Sequence, residues 1–496
     1  MSALLRRALL PLSGAVLGGG AAWVASRGLI DDTYITLAYA RNLAEHGHWG
    51  MTPGTTSNAA TSPLNVVLLA LSFLLVRPFA GADGELALGV LTAALGALAA
   101  WCTGRVVRRA GLHAGWALVA LVVVLANPLL VSALGLEVVL LFTAMTALLA
   151  AGLAGRPVVY GLAAAASLLA RLDMVVFVVL IALACNGIRR RLGAAVLACT
   201  AAALPWFAIS WWWLGSAIPD TFVIKTNQGS FGEGRTYLRG LWTHYFPDVP
   251  EAVVVGVVAA FVGLVVLLAL LVARGSRGGV RAGLTGLGLG GVAYFTVYSL
   301  LGVPPYQWYY VPPVASLSFV AVLGTGVLLA GRARRAAGVG LVVVPVAALA
   351  GLYVAVPAAA LPLPWAYPPV FGNFATPAEY RAIGAEVGEL VGEERVAAPG
   401  EIGTLAYACD CGLVDQFSDP AVLQPLIEAR IDDAGPVLRT LLEWNYARRD
   451  AGAAQPTPWV LRWASAAVAP PEGVRRWPTT AGTVQRPDVL VLFREE

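Results

Sequence analysis

The sequence contains little charge and very few lysine or cysteine residues. Of its 496 residues only 12% are charged, whereas 58% are hydrophobic, and the mean hydropathy is +0.74. A soluble globular protein needs more polar surface than this composition supplies, so that class is excluded. Apolar runs of about 20 residues recur and are typical of helices that cross a bilayer. The sequence therefore predicts a polytopic helical membrane protein.

Lysine is almost absent: Lys225 is the only lysine, and the other 32 of the 33 lysine and arginine residues are arginines. The net charge of +4 says little about partners, since the arginines cluster in short loops, where they set membrane orientation. Nothing indicates nucleic-acid binding. A single lysine in such a chain favours the interpretation that its compact charge has a specific role, such as binding a phosphate.

Cysteine is scarce as well, with five residues. Cys102, Cys185 and Cys199 fall in apolar segments and are interpreted as small core residues. Cys409 and Cys411 flank one aspartate. In a strand they would point to the same face unpaired, while a disulfide outside the cell is the alternative. Their spacing does not match a zinc site.

Twelve apolar segments occur, and the arginines between them decide which ones cross the membrane. The segments are residues 8–30, 63–80, 84–104, 114–133, 137–154, 157–170, 174–187, 193–214, 251–273, 283–301, 312–331 and 337–360. If all crossed from a cytoplasmic N-terminus, the clusters 105–109 and 189–191 would lie outside, against the positive-inside rule. Treating residues 63–80 as a re-entrant or interfacial helix places every cluster inside. We therefore predict about eleven spans in the plasma membrane, a cytoplasmic N-terminus and an extracytoplasmic C-terminus.

The same rule divides residues 157–187. One continuous helix would leave the arginines 189–191 outside, whereas two short helices that turn at residues 171–173 keep them inside. Each half is shorter than the hydrocarbon core. Arg171 and Asp173 should therefore lie below the outer surface and line a cavity, or form an ion pair that is satisfied within the bundle.

Two adjacent carboxylates, Asp31 and Asp32, follow the first apolar segment at its outer end. Acidic residues beside hydrocarbon are costly and usually functional, but aspartates also cap helices. Both interpretations stay open from the residues alone. A short amphipathic helix is predicted from Asp32 to about His46, ended by Gly47, with Thr36 on the same stripe as Asp32.

Polar and aromatic residues gather in the other loops assigned to the outer face. Residues 55–63 carry hydroxyls and an amide that suit sugar or phosphate oxygens, or form a polar turn. Residues 215–250 carry Lys225, and the other polar residues of this loop either serve the site or are simply solvated. The aromatic residues 304–310 form a membrane aromatic belt, or guide a sugar or lipid chain. The chemistry is therefore predicted at the outer face.

The composition changes at about residue 361, where charged residues return. A capping box at residues 376–379 predicts a helix to about residue 391. Residues 395–398 and 488–493 are predicted strands, and residues 420–446 are predicted helical. The predicted domains are a transmembrane catalytic domain (1–360, with its first outer loop at 31–83) and an extracytoplasmic α/β domain (361–496).

In chain order, these elements resemble the GT-C glycosyltransferases, integral membrane enzymes that take a sugar from a polyprenyl phosphate carrier. The likeness is strongest to the actinobacterial terminal arabinofuranosyltransferases, which act in cell-wall biogenesis. It rests on Asp31-Asp32-x-Tyr34-Ile35 with Ala40-Arg41-Asn42, Thr61-Ser62-Pro63-Leu64, Gly135-Leu136-Glu137, Arg171-Leu172-Asp173, Pro219-Asp220-Thr221-x3-Lys225, Pro305-Tyr306-Gln307-Trp308-Tyr309-Tyr310, Glu401-Ile402-Gly403 and Val414-Asp415.

The resemblance implies an all-α polytopic GT-C fold and an inverting transfer of a sugar, expected to be arabinofuranose, to a cell-envelope polysaccharide. It also implies that Asp31 or Asp32 is the general base. We expect the donor phosphate near Lys225, Arg171, Arg235 and His244. The expected substrate-binding residues are Tyr34, Arg41, Asn58, Thr61, Glu137, Asp173, Asp220, Trp308 and Tyr309.

Three alternatives stay open: a polyprenyl-phosphate-mannose-type transferase with a protein or lipid acceptor, a transporter or lipid flippase, and an assembly scaffold. Transporters often show internal repeats, and none is visible here. No metal ligands stand out beyond the aspartate pair, so no cofactor is predicted and a divalent metal is left open. The expected partners are the lipid bilayer, the donor and the glycan acceptor.

Overall fold

The computed structural model describes residues 3–227, 231, 235–273, 278–329, 334–465, 475–480 and 489–495. Most of them are helical. The helices of the first part are α1 (Ala3–Ala25), α2 (Asp31–His46), α3 (Pro63–Ala80), α4 (Gly84–Ala110), α5 (Gly115–Leu125), α6 (Pro128–Ser132), α7 (Val138–Ala154), α8 (Pro157–Ala170), α9 (Val175–Ala184), α10 (Asn186–Arg189) and α11 (Leu192–Ile209).

The remaining described helices are α12 (Thr221–Asn227), α13 (Tyr237–Gly240), α14 (Pro250–Val272), α15 (Gly278–Leu300), α16 (Val311–Leu329), α17 (Arg334–Ala355), α18 (Pro377–Val391), α19 (Gly403–Cys409), α20 (Pro420–Asp432) and α21 (Pro436–Tyr446). The described strands are β1 (Arg395–Ala397), β2 (Gly412–Val414), β3 (Trp459–Ala464), β4 (Arg475–Pro478) and β5 (Val489–Arg494). We call residues 361–496 the C-terminal region.

Six helical segments of the described chain are long and apolar enough to cross a membrane: Ala8–Ala25, Pro63–Ala80, Gly84–Ala110, Leu192–Leu214, Pro250–Val272 and Gln307–Leu329. Shorter apolar helices lie at Gly115–Leu125, Val138–Ala154, Pro157–Ala170, Leu172–Ala184 and Gly340–Ala355. The segment that we interpreted as interfacial, Pro63–Ala80, also meets these criteria. Its placement, the number of spans and the side of each terminus stay predictions.

Small residues let α1 pack directly along α4. A Cβ atom on Gly14 would lie 2.2 Å from the carbonyl oxygen of Gly96, and one on Gly18 would lie 2.4 Å from that of Thr92. Glycines four residues apart allow such close approach of helices in a membrane. This packing holds α1 in place just before the start of α2.

Several local predictions are confirmed. Helix α2 ends at Gly47, which has a left-handed backbone. Helix α18 begins with a complete capping box between Thr376 and Glu379. Helix α8 stops before Arg171, whose backbone is extended, and a 3-10 turn (Leu172–Met174) leads into α9.

Two predicted helices are each divided in the structure. Residues 114–133 form α5 and α6, because Asn127 caps the second helix and Pro128 begins it. The Asn127 side chain also donates a hydrogen bond to the Gly256 carbonyl (2.7 Å). Residues 420–446 likewise form α20 and α21, and Pro436 begins the latter. A proline favours a new helix start over continuation.

The described strands form one mixed sheet with the order β2-β1-β3-β5-β4. Strand β1 pairs in parallel with β2 and β3, whereas β5 pairs antiparallel with β3 and β4. The predicted strands correspond to β1 and β5, although residue 488 lies outside the described part. Strands β2, β3 and β4 were missed. A period of two is a weak signal over the three and four residues of β2 and β4, whereas β3 has six residues.

The structure joins Cys409 and Cys411 in a disulfide. The expectation of an unpaired pair assumed a strand, and that assumption was wrong. Cys409 is the last residue of α19, and Asp410 has a left-handed backbone with φ of 52°. The chain therefore reverses between the two cysteines, whose side chains can meet.

Candidate functional site

A cavity lies at the start of α2, where distant segments of the chain meet. Its lining residues are Asp32, Ile35, Thr36, Ala59, Ala60, Thr61, Ser62, Val66, Leu136, Glu137, Arg171, Thr221, Lys225, Trp308 and Phe417. Six of the site residues predicted from the sequence are therefore brought together. They are Asp32, Thr61, Glu137, Arg171, Lys225 and Trp308.

Asp32 and Lys225 form the charged pair at this cavity. The Lys225 Nζ atom lies 3.7 Å from Asp32 Oδ1, and the Asp32 side chain keeps 31% of its surface exposed. Burial raises the pKa of Asp32, Lys225 lowers it, and Glu137 raises it. A carboxylate with a raised pKa and one loosely held partner can accept a proton from a bound hydroxyl.

Aromatic rings surround the Lys225 ammonium group. Its Nζ atom lies 4.8 Å from the ring centre of Tyr306, 4.9 Å from that of Trp308 and 5.8 Å from that of Tyr309. Ring faces attract a cation without neutralising it. Burial lowers the pKa of Lys225, but Tyr309 and Asp32 more than offset that effect. Lys225 therefore stays charged at the cavity, where its ammonium group can contact an anion.

Arg171 is the second cation of the cavity and is held by two carboxylates. It donates hydrogen bonds to Glu137 (2.9 Å), to Asp173 (2.6 Å) and to the hydroxyl of Tyr298 (2.8 Å). Its guanidinium also lies 4.8 Å from the ring centre of Tyr309. Both sequence interpretations thus apply: Arg171 is paired within the bundle and it lines the cavity.

Phe417 reaches the cavity from the C-terminal region. It lies in a tight turn in which Asp415 Oδ1 accepts hydrogen bonds from the backbone N–H groups of Phe417 (2.7 Å) and Ser418 (3.1 Å). The Ser418 hydroxyl accepts a bond from the Asp415 N–H in return (2.9 Å). This turn fixes the direction of the ring. Sequence reasoning missed Phe417, because no local pattern connects it with α2.

Asp31, the other candidate base, does not line this cavity. Its two carboxylate oxygens accept hydrogen bonds from the backbone N–H groups of Gly403 (2.9 Å) and Thr404 (2.7 Å) at the start of α19. A Cβ atom on Gly403 would lie only 2.0 Å from the Asp31 carbonyl oxygen. Asp31 therefore attaches the C-terminal region to the start of α2.

Glu401 and Asp415 are half-buried near Asp31 in the same junction. Glu401 accepts hydrogen bonds from Asn373 (3.1 Å), the Phe374 N–H (2.9 Å) and the Tyr380 hydroxyl. Burial raises the pKa of Asp31 to about 6, that of Asp415 to about 7 and that of Glu401 to about 8. Asp31 adds to the rise for the other two.

Arg41 and Tyr34 also contact α19 and do not line the cavity. The Arg41 guanidinium lies 4.3 Å from the ring centre of Tyr407 and donates a hydrogen bond to the Tyr407 carbonyl (3.1 Å). The ring of Tyr34 packs 5.5 Å from that of Tyr407. In this structure both residues serve the junction with the C-terminal region.

Asn58 and Asp220 form a buried polar network beside the cavity. The Asn58 side chain donates to Ser210 and Ser216, and Ser216 donates to Asp220 (3.0 Å). Arg449 of the C-terminal region donates to Asp220 (2.9 Å) in an ion pair whose side chains are 5% and 2% exposed. Asp220 directly precedes Thr221, which lines the cavity, so this network positions the cavity edge.

The remaining predicted residues lie around the cavity without lining it. Asp173 pairs with Arg171, and Tyr309 lies between the two cations. Arg235 and His244 contact each other at 3.2 Å. Their link to Lys225 is indirect, through the rings of Phe231 and Tyr306.

Thr36 and Thr221 line the cavity but were not predicted as site residues. Thr36 could have been found, since it shares a helical stripe with Asp32. Thr221 belongs to the same motif as Lys225 and contacts Thr61 at 3.2 Å. Within the described part of the chain, no three His, Cys, Asp or Glu side chains are grouped so that they could hold a metal ion.

The chain shares its fold over nearly its whole length with ArnT from Cupriavidus metallidurans. The apo structure of ArnT matches with a TM-score of 0.57 and 15% identity, and the match covers 99% of this chain and 98% of ArnT. The structure bound to undecaprenyl phosphate matches with a TM-score of 0.56, 17% identity and the same coverage. No protein-family model and no curated protein matches the sequence. This likeness supports the predicted fold, while the number of spans, the C-terminal domain and the resemblance to the arabinofuranosyltransferases stay predictions.

Proposed function

We propose that this protein is a membrane glycosyltransferase that moves a sugar from a polyprenyl phosphate donor to a hydroxyl of a cell-envelope glycan. The observation that carries the proposal is the pair of Asp32 and Lys225 in a cavity that Arg171 also lines. The ArnT fold supports it, because one ArnT structure is bound to undecaprenyl phosphate. We propose arabinofuranose as the sugar on the basis of the sequence motifs.

In the proposed reaction the acceptor hydroxyl oxygen attacks the anomeric carbon of the donor sugar. The bond from that carbon to the phosphate oxygen breaks, and its electron pair leaves with the polyprenyl phosphate. The hydroxyl proton passes to the Asp32 carboxylate, and the anomeric configuration inverts. Lys225 and Arg171 stabilise the negative charge that grows on the phosphate.

Asp32 is preferred to Asp31 as the base for a geometric reason. Asp32 lines the cavity, whereas both oxygens of Asp31 already accept backbone hydrogen bonds from α19. We therefore assign Asp31 a positioning role, since it holds the C-terminal region against the first turn of α2. A carboxylate at that turn also interacts favourably with the helix dipole.

The test is transfer of a radiolabelled sugar in membranes that carry this protein. Donors with arabinofuranose, mannose and aminoarabinose on the same polyprenyl phosphate are compared, with a cell-envelope glycan as acceptor. We expect labelled glycan from the arabinofuranose donor, and none with Asp32→Asn. If label were transferred only from another donor, the proposed sugar would be wrong and that donor's sugar would replace it. Movement of intact lipid across the bilayer without any transfer would instead identify a flippase.

A further inference from the structure

Helix α21 of the C-terminal region exposes an apolar stripe. Val437, Leu441 and Trp444 are 76%, 54% and 68% exposed. Their spacing of four and three residues places them on one face of the helix. Leu442 and Tyr446, on another face, are buried against the rest of the protein. The helix is therefore packed on one side and presents a second apolar surface outward.

The neighbour of this stripe is the end of a segment long and apolar enough to cross the membrane. Only 11% of the apolar window within Leu192–Leu214 is buried inside the protein, which leaves most of this apolar segment free to face lipid. It ends in three consecutive tryptophans, of which Trp212 and Trp213 are 65% and 80% exposed. Tryptophans at the end of a membrane helix lie at the level of the lipid headgroups.

Direct contacts fix α21 at the level of these tryptophans. The indole N–H of Trp211 donates a hydrogen bond to the Trp444 carbonyl (2.8 Å). The guanidinium of Arg448 lies 4.0 Å from the ring centre of Trp212. In addition, the Asn445 side chain accepts a bond from the Ile218 N–H (2.8 Å). The stripe thus continues the lipid-facing surface of the span.

We propose that α21 is an interfacial helix, with Val437, Leu441 and Trp444 inserted between the lipids of the leaflet in which Trp212 and Trp213 end. The occupant of the stripe is a phospholipid bilayer, because the stripe is continuous with a surface that already faces lipid. Arg448, exposed beside it, suits the phosphate groups of that leaflet. Apolar and aromatic side chains on one face are typical of helices that lie in a membrane interface.

This attachment has a consequence for the cavity. Arg449, three residues beyond α21, pairs with Asp220, and the next residue, Thr221, lines the cavity. The lipid-bound helix therefore holds the segment that positions one cavity edge. The inference concerns where the C-terminal region lies, so it does not depend on the reaction proposed above.

The test places one spin label at a time on α21, in full-length protein reconstituted into nanodiscs of phosphatidylcholine and phosphatidylglycerol. Cys102, Cys185 and Cys199 are replaced by alanine, and the disulfide is kept. The label is attached at Leu441→Cys in the stripe. The matched control is Glu443→Cys, an exposed position on the same helix that points away from the stripe.

The readout is collision of each label with oxygen, which concentrates in lipid, and with a water-soluble nickel chelate. We expect the label at position 441 to favour oxygen several-fold over the chelate, relative to the label at position 443. Equal and high access of the chelate to both labels would overturn the proposal. Dipolar broadening of the spin-label spectrum that appears only with two proteins per disc would also overturn the proposal. The stripe would then be covered by a second copy of the protein. If Leu441→Cys does not elute as folded protein, Val437→Cys replaces it with the same expected result.

Discussion

The two neighbouring aspartates at the start of α2 face different parts of the molecule. Asp31 lies at the junction with the C-terminal region, where two backbone N–H groups satisfy its oxygens at 2.9 and 2.7 Å. Asp32 lies in the cavity, where its cation partner is 3.7 Å away and 31% of its side chain is exposed. Consecutive helical residues point about 100° apart. Adjacent identical residues can therefore hold a fold together and offer a base.

The cations of the two regions differ in the same way. Arg449 and Asp220 form a closed ion pair at 2.9 Å, with side chains that are 5% and 2% exposed. Lys225 has a more distant carboxylate and a set of aromatic rings. The junction thus uses complete pairing for stability, while the cavity leaves charge available for a substrate.

The largest effect on transfer should come from replacing Asp32 and Asp31, one at a time, by asparagine. Asp32→Asn should lower transfer about 10²- to 10⁴-fold, which is the usual contribution of a general base. Asp31→Asn should lower the free energy of unfolding by about 1–3 kcal/mol, because an amide cannot accept both backbone bonds. Its transfer rate per folded protein should fall less than that of Asp32→Asn. Transfer assays and thermal unfolding measure both, and near wild-type turnover of Asp32→Asn would disprove its role.

The cations provide a second contrast. Arg449→Leu should destabilise the protein by about 3–5 kcal/mol, because it leaves the Asp220 charge buried and unpaired. Lys225→Met should change stability by less than about 1 kcal/mol, since its pair is loose and partly exposed. It should instead raise the KM for the polyprenyl phosphate donor at least about tenfold, as expected for loss of a charged contact worth about 1.5–3 kcal/mol. An unchanged KM for the donor would show that Lys225 does not bind the donor phosphate.

The pH dependence of transfer should move in opposite directions in two variants. Asp32 accepts a proton only when ionised, so activity falls as the pH drops through its pKa. Glu137 raises that pKa and Lys225 lowers it. Glu137→Gln should therefore shift the acidic limb to lower pH, and Lys225→Met should shift it to higher pH. Profiles of kcat/KM against pH measure the shift of each variant. If the acidic limb moved in the same direction in both variants, the assignment of Asp32 as the base would be contradicted.

Phe417 allows a smaller test of whether the C-terminal region takes part in binding. Phe417→Leu keeps an apolar side chain but removes the ring, which should cost about 0.5–1.5 kcal/mol, or about two- to tenfold in KM, if a sugar packs on it. The control is Phe374→Leu, because Phe374 packs against Trp463 away from the cavity. Equal KM changes in both variants would point to a general loss of packing instead.

The junction should weaken as the pH rises. Asp31, Asp415 and Glu401 have pKa values raised to about 6, 7 and 8, chiefly by burial. Such groups hold a proton more tightly when folded, so their stabilisation is complete below about pH 4 and is lost as the pH rises through the folded values. Proteolysis of the C-terminal region should therefore be faster at about pH 9 than at about pH 5. Glu401→Gln should reduce this difference in the proteolysis rate. A proteolysis rate that does not depend on pH would contradict the proposed weakening of the junction.

Local patterns in the sequence were sufficient for much of the helical architecture. The bounds of α2, the capping box of α18 and the break before Arg171 were all predicted, because capping, turn chemistry and apolar length act over a few residues. The arginines also led to the division of residues 157–187. The break at Asn127 and strands β2, β3 and β4 were missed. Over the three and four residues of β2 and β4 a periodic pattern is a weak signal.

The sequence by itself determined that this is a polytopic helical membrane protein with a candidate base and a single lysine in its loops. Only the tertiary structure decided which aspartate faces the cavity, because that depends on α19, whose Gly403 lies 372 positions from Asp31 in the chain. The same holds for Phe417 in the cavity and for Arg449 beside Asp220. Contacts over such separations arise from the packing of whole elements, which no local pattern encodes.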